Sequence, residues 1–320
     1  MSREHQPRRT PKLMELDPQK MADSEAKARQ ALEEAEKKSK KGGGFLGGLF
    51  GGGGSVNEAC ELYNQAGNYF KVAKNWTAAG NAFLKSAELH ATQADSKHDV
   101  ALDYDKAATS FRKVDPQKAV ECLERASEIY VDMGRFNMAA KINSTIAEIY
   151  ETESPDKARS IKHHQVAADF YKGEEAKSSA TKCLIRVAQL SAELGDYRRA
   201  IEVFEEIATY EADHATLKYA AKNHFFAALL CHLCMDLLDT QSALKRYEDI
   251  SPSFADSREY KFIKDLTICI EEHNVDAFTE AVRNYDKISR LESWQTTLLL
   301  SAKKQCGTGG DDQSEEEDLR

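Results

Sequence analysis

A unit of about twenty residues repeats through the middle of the chain, and few folds can accommodate it. The tetrads Ala87-Glu88-Leu89-His90, Ser127-Glu128-Ile129-Tyr130 and Ala147-Glu148-Ile149-Tyr150 share the order small, polar, aliphatic, then aromatic or histidine. Two longer stretches, Lys74–His90 and Gly134–Tyr150, align without a gap: Trp76 falls on Phe136, Ala79 on Ala139, and Ala87-Glu88-Leu89 on Ala147-Glu148-Ile149. An aromatic opening each unit, alanine at close-approach positions and apolar spacing of three to four describe a pair of packed helices.

Boundary residues agree with that reading. Asp115-Pro116 and Ser154-Pro155 each place a capping side chain before a proline at the first helical position. Gly134 and Gly195 stand where a left-handed C-terminal cap is expected. No strand-like alternation with turn dipeptides occurs. From about Asn57 to Tyr210 the sequence predicts eight antiparallel helices in a curved sheet similar to tetratricopeptide repeats. Beyond Ala212 the pattern changes. Thr216–Leu238 reads as one long, nearly all-round apolar helix at the centre of a bundle, followed by amphipathic segments Arg258–Glu272, Val275–Arg290 and Glu292–Lys304. The expected fold is all-α: a curved sheet of antiparallel TPR-like helix pairs followed by a C-terminal helical bundle. Its expected parts are a disordered extension over 1–22, the repeat sheet over 23–212, the bundle over 213–306 and an acidic tail over 307–320.

The repeat part includes one segment of a different kind, a flexible apolar loop over 41–55. Residues 41–55 read KGGGFLGGLFGGGGS, too glycine-rich for a stable helix or strand. Four large apolar side chains, Phe45, Leu46, Leu49 and Phe50, sit at its centre, where a linker would be polar. Such a loop suits entry into a membrane surface or a partner's groove; packing back on its own domain is the alternative.

Charge and cysteine usage narrow the function. The net charge of −9 argues against general nucleic-acid binding. Seven cysteines without framework spacing, and no apolar leader in the first twenty residues, fit a reducing, cytoplasmic setting. No run approaches a spanning helix, so any membrane contact is expected to be peripheral.

Catalytic constellations are missing. Gly54-Ser55 lacks the lysine of a phosphate loop. Cys231-His232-x-Cys234 lacks the second pair of a zinc site and reads as packed thiols. His163-His164 reads as a solvated helix face. Neither a cofactor, a metal nor enzyme activity is expected. Basic residues do gather in the repeat half: Lys74, Arg112, Lys113, Arg135, Lys141, Lys182 and Arg186, with Arg198 and Arg199 further on. Ordinary solvated helix surface and a basic stripe for an acidic, elongated partner both fit them.

Nine blocks now carry a resemblance: GFLGGLFGG, Phe70–Phe83, Asp132–Lys141, Ile146–Glu151, Phe170–Leu184, Asp256–Lys264, Glu271–Val282, Tyr285–Trp294 and the terminal EEDLR. In that order, from about Met21 to Arg320, they resemble the soluble NSF attachment proteins of the alpha type. The resemblance implies an adaptor. It would coat the assembled SNARE complex (a bundle of syntaxin-type, synaptobrevin-type and SNAP-25-type chains) and recruit and stimulate the NSF ATPase to take it apart in vesicle fusion and membrane traffic. The family's SNARE-facing basic positions match Lys141 and Lys182, with Arg135 and Arg186 beside them and Lys74 and Lys113 in the same basic set. Its NSF-facing acidic positions match Asp236, Glu271 and Glu272, and the tail supplies Asp318 and the penultimate Leu319. A further acidic position is Ile268 here, and His163-His164-Gln165 replaces a more usual His-Tyr-Glu. The loop residues Phe45, Leu46, Leu49 and Phe50 correspond to the membrane contact. The resemblance also implies several copies around one bundle, a largely monomeric free form and peripheral membrane association. A generic peripheral membrane scaffold that binds peptide tails without NSF is the alternative.

Overall fold

The computed structural model describes residues 18–42 and 53–307, in which helices are joined by short turns and there is no strand. The helices are α1 (Pro18–Gly42), α2 (Gly53–Val72), α3 (Trp76–His90), α4 (Lys97–Phe111), α5 (Pro116–Asp132), α6 (Phe136–Thr152), α7 (Lys157–Gly173), α8 (Lys177–Glu193) and α9 (Tyr197–Ala212). They are followed by α10 (Lys218–Met235), α11 (Leu237–Ile250), α12 (Pro252–Ala255), α13 (Arg258–Glu271), α14 (Val275–Asp286) and α15 (Ser293–Gly307). Helices α2 to α9 are the eight expected repeat helices.

One turn design recurs. After α2, α5, α7, α8 and α13 a residue takes a left-handed conformation: Lys74 (φ 58°), Gly134 (66°), Glu175 (55°), Gly195 (82°) and His273 (52°). The next amide then donates to a carbonyl five residues back, as Asn75 does to Phe70 and Asp196 to Ser191, so the helix end is closed before the next begins. Asn75, Asp115, Asp156, Asp196, Ser257 and Asn274 then cap the following helix by accepting from the amide three residues on. Ser154 is not the cap of α7: Asp156 is, two residues later, because its side chain reaches the Arg159 amide at 3.0 Å. Helix α1 starts at Pro18, so the last residues of the stretch expected as an extension are helical, with proline's fixed φ opening the helix.

The chain divides into two compact units, 1–142 and 143–320, with the boundary inside α6. In the first, α1 to α5 pack sequentially and alanines line the contacts: Ala79, Ala87, Ala107, Ala119 and Ala126 are fully buried. Two glycines allow the closest approaches. A Cβ on Gly67 would stand 2.7 Å from the Phe83 ring, and one on Gly80 would stand 2.6 Å from the Phe111 ring.

In the second unit a single apolar core runs from Ala188 and Phe204 through α10 to Trp294 and Cys306. The repeat helices α8 and α9 therefore share the core of the C-terminal bundle, and no break in packing falls at 212/213. Helix α10 is its centre, with Phe225 against Tyr247 and Phe254, and Phe226 against Phe262 and Tyr285. The long helix expected over Thr216–Leu238 ends earlier. Asp236 is extended (φ −155°, ψ 138°) and accepts from the Asp239 amide, which opens α11 as a separate helix. Leu238 consequently lies 72% exposed on the first turn of α11 rather than in the core.

Candidate functional site

Lysine and arginine at the helix ends of the first unit are set by the turn design. Lys74 is the left-handed residue between α2 and α3, and Lys113 lies in the turn between α4 and α5. Consecutive helices alternate in direction, so these two turns share one edge of the unit, while Arg135, between α5 and α6, lies on the opposite edge. All three are exposed and without an ion pair among the described residues. Lys141 is exposed within α6, and its charge acts on the half-buried Asp105; burial pushes that carboxyl up, and Lys141 and Lys106 draw it back.

In the second unit Lys182 and Arg186 lie one turn apart on α8, and the structure distinguishes them. Lys182 is exposed and without an ion pair among the described residues. Arg186 is held: its guanidinium donates to Glu151 and Gln189. Glu151 also receives His164 Nε2 at 2.7 Å and the Ser160 hydroxyl at 3.3 Å. Burial pushes the Glu151 carboxyl up, but the hydrogen bonds from His164 and Arg186 and their charges outweigh it, and it settles at about 2. His163 and His164 do not form a solvated face. His164 is 5% exposed, and half-buried His163 stacks on Tyr150 with Nδ1 3.0 Å from Asn143 Oδ1. Burial lowers His163 to about 4, with Lys162, His164 and Arg159 adding repulsion. For His164 burial also opposes the charge, yet Cys183 and Glu151 raise it above the usual 6.5.

The acidic positions come together through one contact. Gln241, little more than a turn beyond Asp236 on α11, donates its amide to Glu271 at the end of α13. Glu272 is the C-cap of α13, beside left-handed His273. Asp236, Asp239, Glu271, Glu272 and Asp276 are all exposed. Two carboxylates at a helix C-terminus oppose the helix dipole, at a cost of about 0.3–1 kcal/mol each. Neither has an ion pair among the described residues. Exposed Ile268, one turn before Glu271, and exposed Leu238 and Val275 add apolar surface nearby in sequence. Asp239, Gln241 and Leu238 are the members that sequence reading missed; the Asp-x-x-Asp spacing from 236 to 239 was the available signal of a helix start.

Phe45, Leu46, Leu49, Phe50, Asp318 and Leu319 lie outside the described residues. Among those described, no group of three or more His, Cys, Asp and Glu could hold a metal ion, and no helix is long and apolar enough to cross a membrane. Cys231 is fully buried and Cys234 donates to the Leu298 carbonyl at 3.2 Å, so both thiols are core packing. Each remaining partly buried histidine meets a carboxylate: His90 with Asp103 at 2.9 Å, His224 with Glu211 at 2.8 Å, His232 with Glu205 at 3.4 Å.

The family model described as "Soluble NSF attachment protein, SNAP" matches residues 26–307. The mouse "Alpha-soluble NSF attachment protein" is 51% identical over 296 residues, covering 92% of this chain and 98% of that protein. The bovine "Beta-soluble NSF attachment protein" is 51% identical over 290 residues, 91% of this chain and 97% of its own. A "Probable vesicular-fusion protein sec17 homolog" of Schizosaccharomyces pombe is 35% identical over 88% of this chain and 97% of its own.

Proposed function

This chain belongs to the soluble NSF attachment protein family, and from that premise we propose that it is an adaptor, not an enzyme. It binds assembled SNARE complexes and attaches the NSF ATPase to them for disassembly in vesicle fusion and intracellular membrane traffic. The observation that carries the reading is 51% identity to an alpha-type attachment protein across 98% of that protein's length.

The two charge groups suit two different contacts. In the first unit Lys74, Lys113, Arg135 and Lys141 are exposed cations, each suited by its charge to an acidic helical bundle; in the second Lys182 is another, and Arg186 adds its field while its donors serve Glu151. Attraction of this kind weakens as salt rises. Asp236, Glu271 and Glu272 offer exposed carboxylates to a basic surface of NSF, with Asp318 and Leu319 of the tail coupling to its ATPase. Phe45, Leu46, Leu49 and Phe50 touch the membrane beside the anchors of the bundle. One such loop is a weak anchor, because each buried Phe or Leu contributes about 1.5–3 kcal/mol before glycine ordering is subtracted. Several copies around one bundle make the contact effective by avidity. The working place is the cytoplasmic face of membranes, and the free form is largely monomeric.

A pull-down tests the reading. The chain is retained by assembled SNARE bundles and not by the separated chains; equal retention by both would refute it and favour a general peptide-binding scaffold.

A further inference from the structure

A groove of about 610 Å³ runs between α2 and α4 of the first unit, apart from the charge groups described above. Helical spacing builds its walls: Asn57, Glu61, Gln65 and Asn68 recur along one face of α2 and look across to Asp99 and Asp103 on α4. The floor is already satisfied. Asp103, 1% exposed, accepts from the Ser86 hydroxyl and from Lys106 Nζ at 2.8 Å, and His90 Nδ1 stands 2.9 Å from it. Lys106 also donates to Asn64 at 2.7 Å, so the groove's own cation is committed. The rim is open. Glu61, Gln65, Asn68 and Asp99 are exposed and have no hydrogen-bond or ion-pair partner among the described residues.

Free carboxamides beside free carboxylates define what the groove can hold. A carboxamide offers both a donor and an acceptor, which match the N–H and C=O of an extended chain that makes no hydrogen bonds of its own. The carboxylates add a preference for cations. An acidic helix meets neither condition, because its backbone groups are already paired and its charge has the wrong sign.

A chain of the required kind is attached nearby. Residues 1–17 read MSREHQPRRTPKLMELD, in which Arg3, Arg8, Arg9 and Lys12 outnumber Glu4, Glu15 and Asp17. Pro7 and Pro11 favour extended backbone at themselves and at the residues before them. Lys38 pairs with Glu58, and the Glu25 carboxylate accepts from the Asn75 side chain, so α1 runs antiparallel to α2. Pro18, the first residue of α1, therefore lies towards the end of α2 that bears Asn68. The path from Pro18 to Glu25, the path from Asn75 back to Asn68 and the crossing of one helix are each about 10 Å. Seventeen extended residues reach about 55 Å, enough for that approach and for the further 16 Å or so from Asn68 to Asn57.

We propose that residues 1–17 dock in this groove of their own unit, with Arg3, Arg8 and Arg9 against Glu61 and Asp99 and the extended backbone against Gln65 and Asn68. Each exposed charge pair is weak by itself. The tether makes the set effective, because it holds the segment at about millimolar concentration beside the groove. The docking does not depend on the adaptor reading.

Limited trypsin digestion of the full chain at low salt tests it, with the cut after Arg9 followed by mass spectrometry. A free peptide of the sequence 1–17, digested in a separate tube, calibrates the protease. The cut in the chain is at least fivefold slower than in the peptide, and that protection shrinks as salt rises. Glu61→Lys with Asp99→Lys, both at exposed positions, makes the cut at least fivefold faster, and Gln65→Ala with Asn68→Ala at least twofold faster. Equal rates in parent and variants of matching circular dichroism would overturn the proposal. Protection lost on hundredfold dilution would also overturn it, by assigning the groove to another copy's segment. Should a variant fail to fold, the parent chain decides: a cut as fast as in the free peptide, or protection indifferent to salt, refutes the docking.

Discussion

Lys182 and Arg186 share one face of α8, yet alanine at each position has a different outcome. Lys182 is exposed and without an ion pair among the described residues, so its loss leaves stability within about 0.5 kcal/mol of the parent. Its effect falls on binding. One charge about 5 Å from an acidic partner in water is worth about 0.8 kcal/mol, so binding weakens about three- to fourfold at low salt. That loss shrinks as the Debye length falls below 5 Å at high salt. Arg186 is 38% exposed and its partner Glu151 18%. Its removal strips a charged hydrogen bond from a mostly buried carboxylate, nominally about 1.5–3 kcal/mol, and about 1–2 after discounting for solvent screening. At about 2–4 °C per kcal/mol for a unit of this size, the midpoint of thermal unfolding falls by about 2–8 °C. Coulomb's law is additive, so Arg186→Ala also removes one positive charge from the partner's view. With its donors already committed, it loses no more binding than Lys182→Ala. Thermal melts by circular dichroism and SNARE-bundle titrations at two salt concentrations measure both quantities. An unchanged midpoint in Arg186→Ala, or a fall beyond 2 °C in Lys182→Ala, would refute the distinction.

Four further outcomes are expected. Gly80→Ala gains about 1 kcal/mol of helix propensity but drives a Cβ to 2.6 Å from the buried Phe111 ring, where overpacking costs about 1–3 kcal/mol; a lowered urea midpoint is expected, and a raised one would show that the ring yields freely. His163 is neutral when folded, with a value near 4 against the ordinary 6.5, so its contribution is complete above pH 6.5 and is lost as pH falls from there to 4. Full conversion of that difference is about 3 kcal/mol, and the half-buried ring reduces it to about 1–2; a His163→Phe variant that folds should show a correspondingly flatter stability profile over that window in urea titrations, and an equal slope would contradict the assignment. Phe45→Ser with Phe50→Ser weakens action on liposome-anchored SNARE bundles and spares soluble ones, whereas equal loss on both would mean that the side chains pack on their own domain. Leu319→Ala keeps SNARE binding and lowers stimulated ATP hydrolysis by NSF; an equal fall in binding would remove that residue from its coupling role.

The architecture was largely legible because the repeat is written in small residues and turn chemistry. Gly134 and Gly195 marked left-handed caps, and both have positive φ. Lys74, Glu175 and His273 occupy the same conformation without being glycine, so no local signal announced those turns. Helix α11 was hidden because Leu237 and Leu238 continue the apolar run of α10, and only the extended backbone at Asp236 separates the two. The second core was read as beginning after Ala212, but burial of Ala200, Phe204 and Ala208 in it is a tertiary fact that periodicity does not carry. The charged residues of the candidate surfaces were found by type and resemblance. Which of them are engaged was not: Glu151 lies thirteen residues from His164 and thirty-five from Arg186, beyond any helical spacing rule.

The adaptor role itself is tested most directly by disassembly. A purified, pre-assembled SNARE bundle is mixed with NSF, Mg-ATP and this chain, and separation of the bundle is followed by loss of energy transfer between labelled SNARE chains. The chain drives ATP-dependent separation well above the adaptor-free control. Separation no greater than that control, with the chain folded and NSF active, would contradict the account.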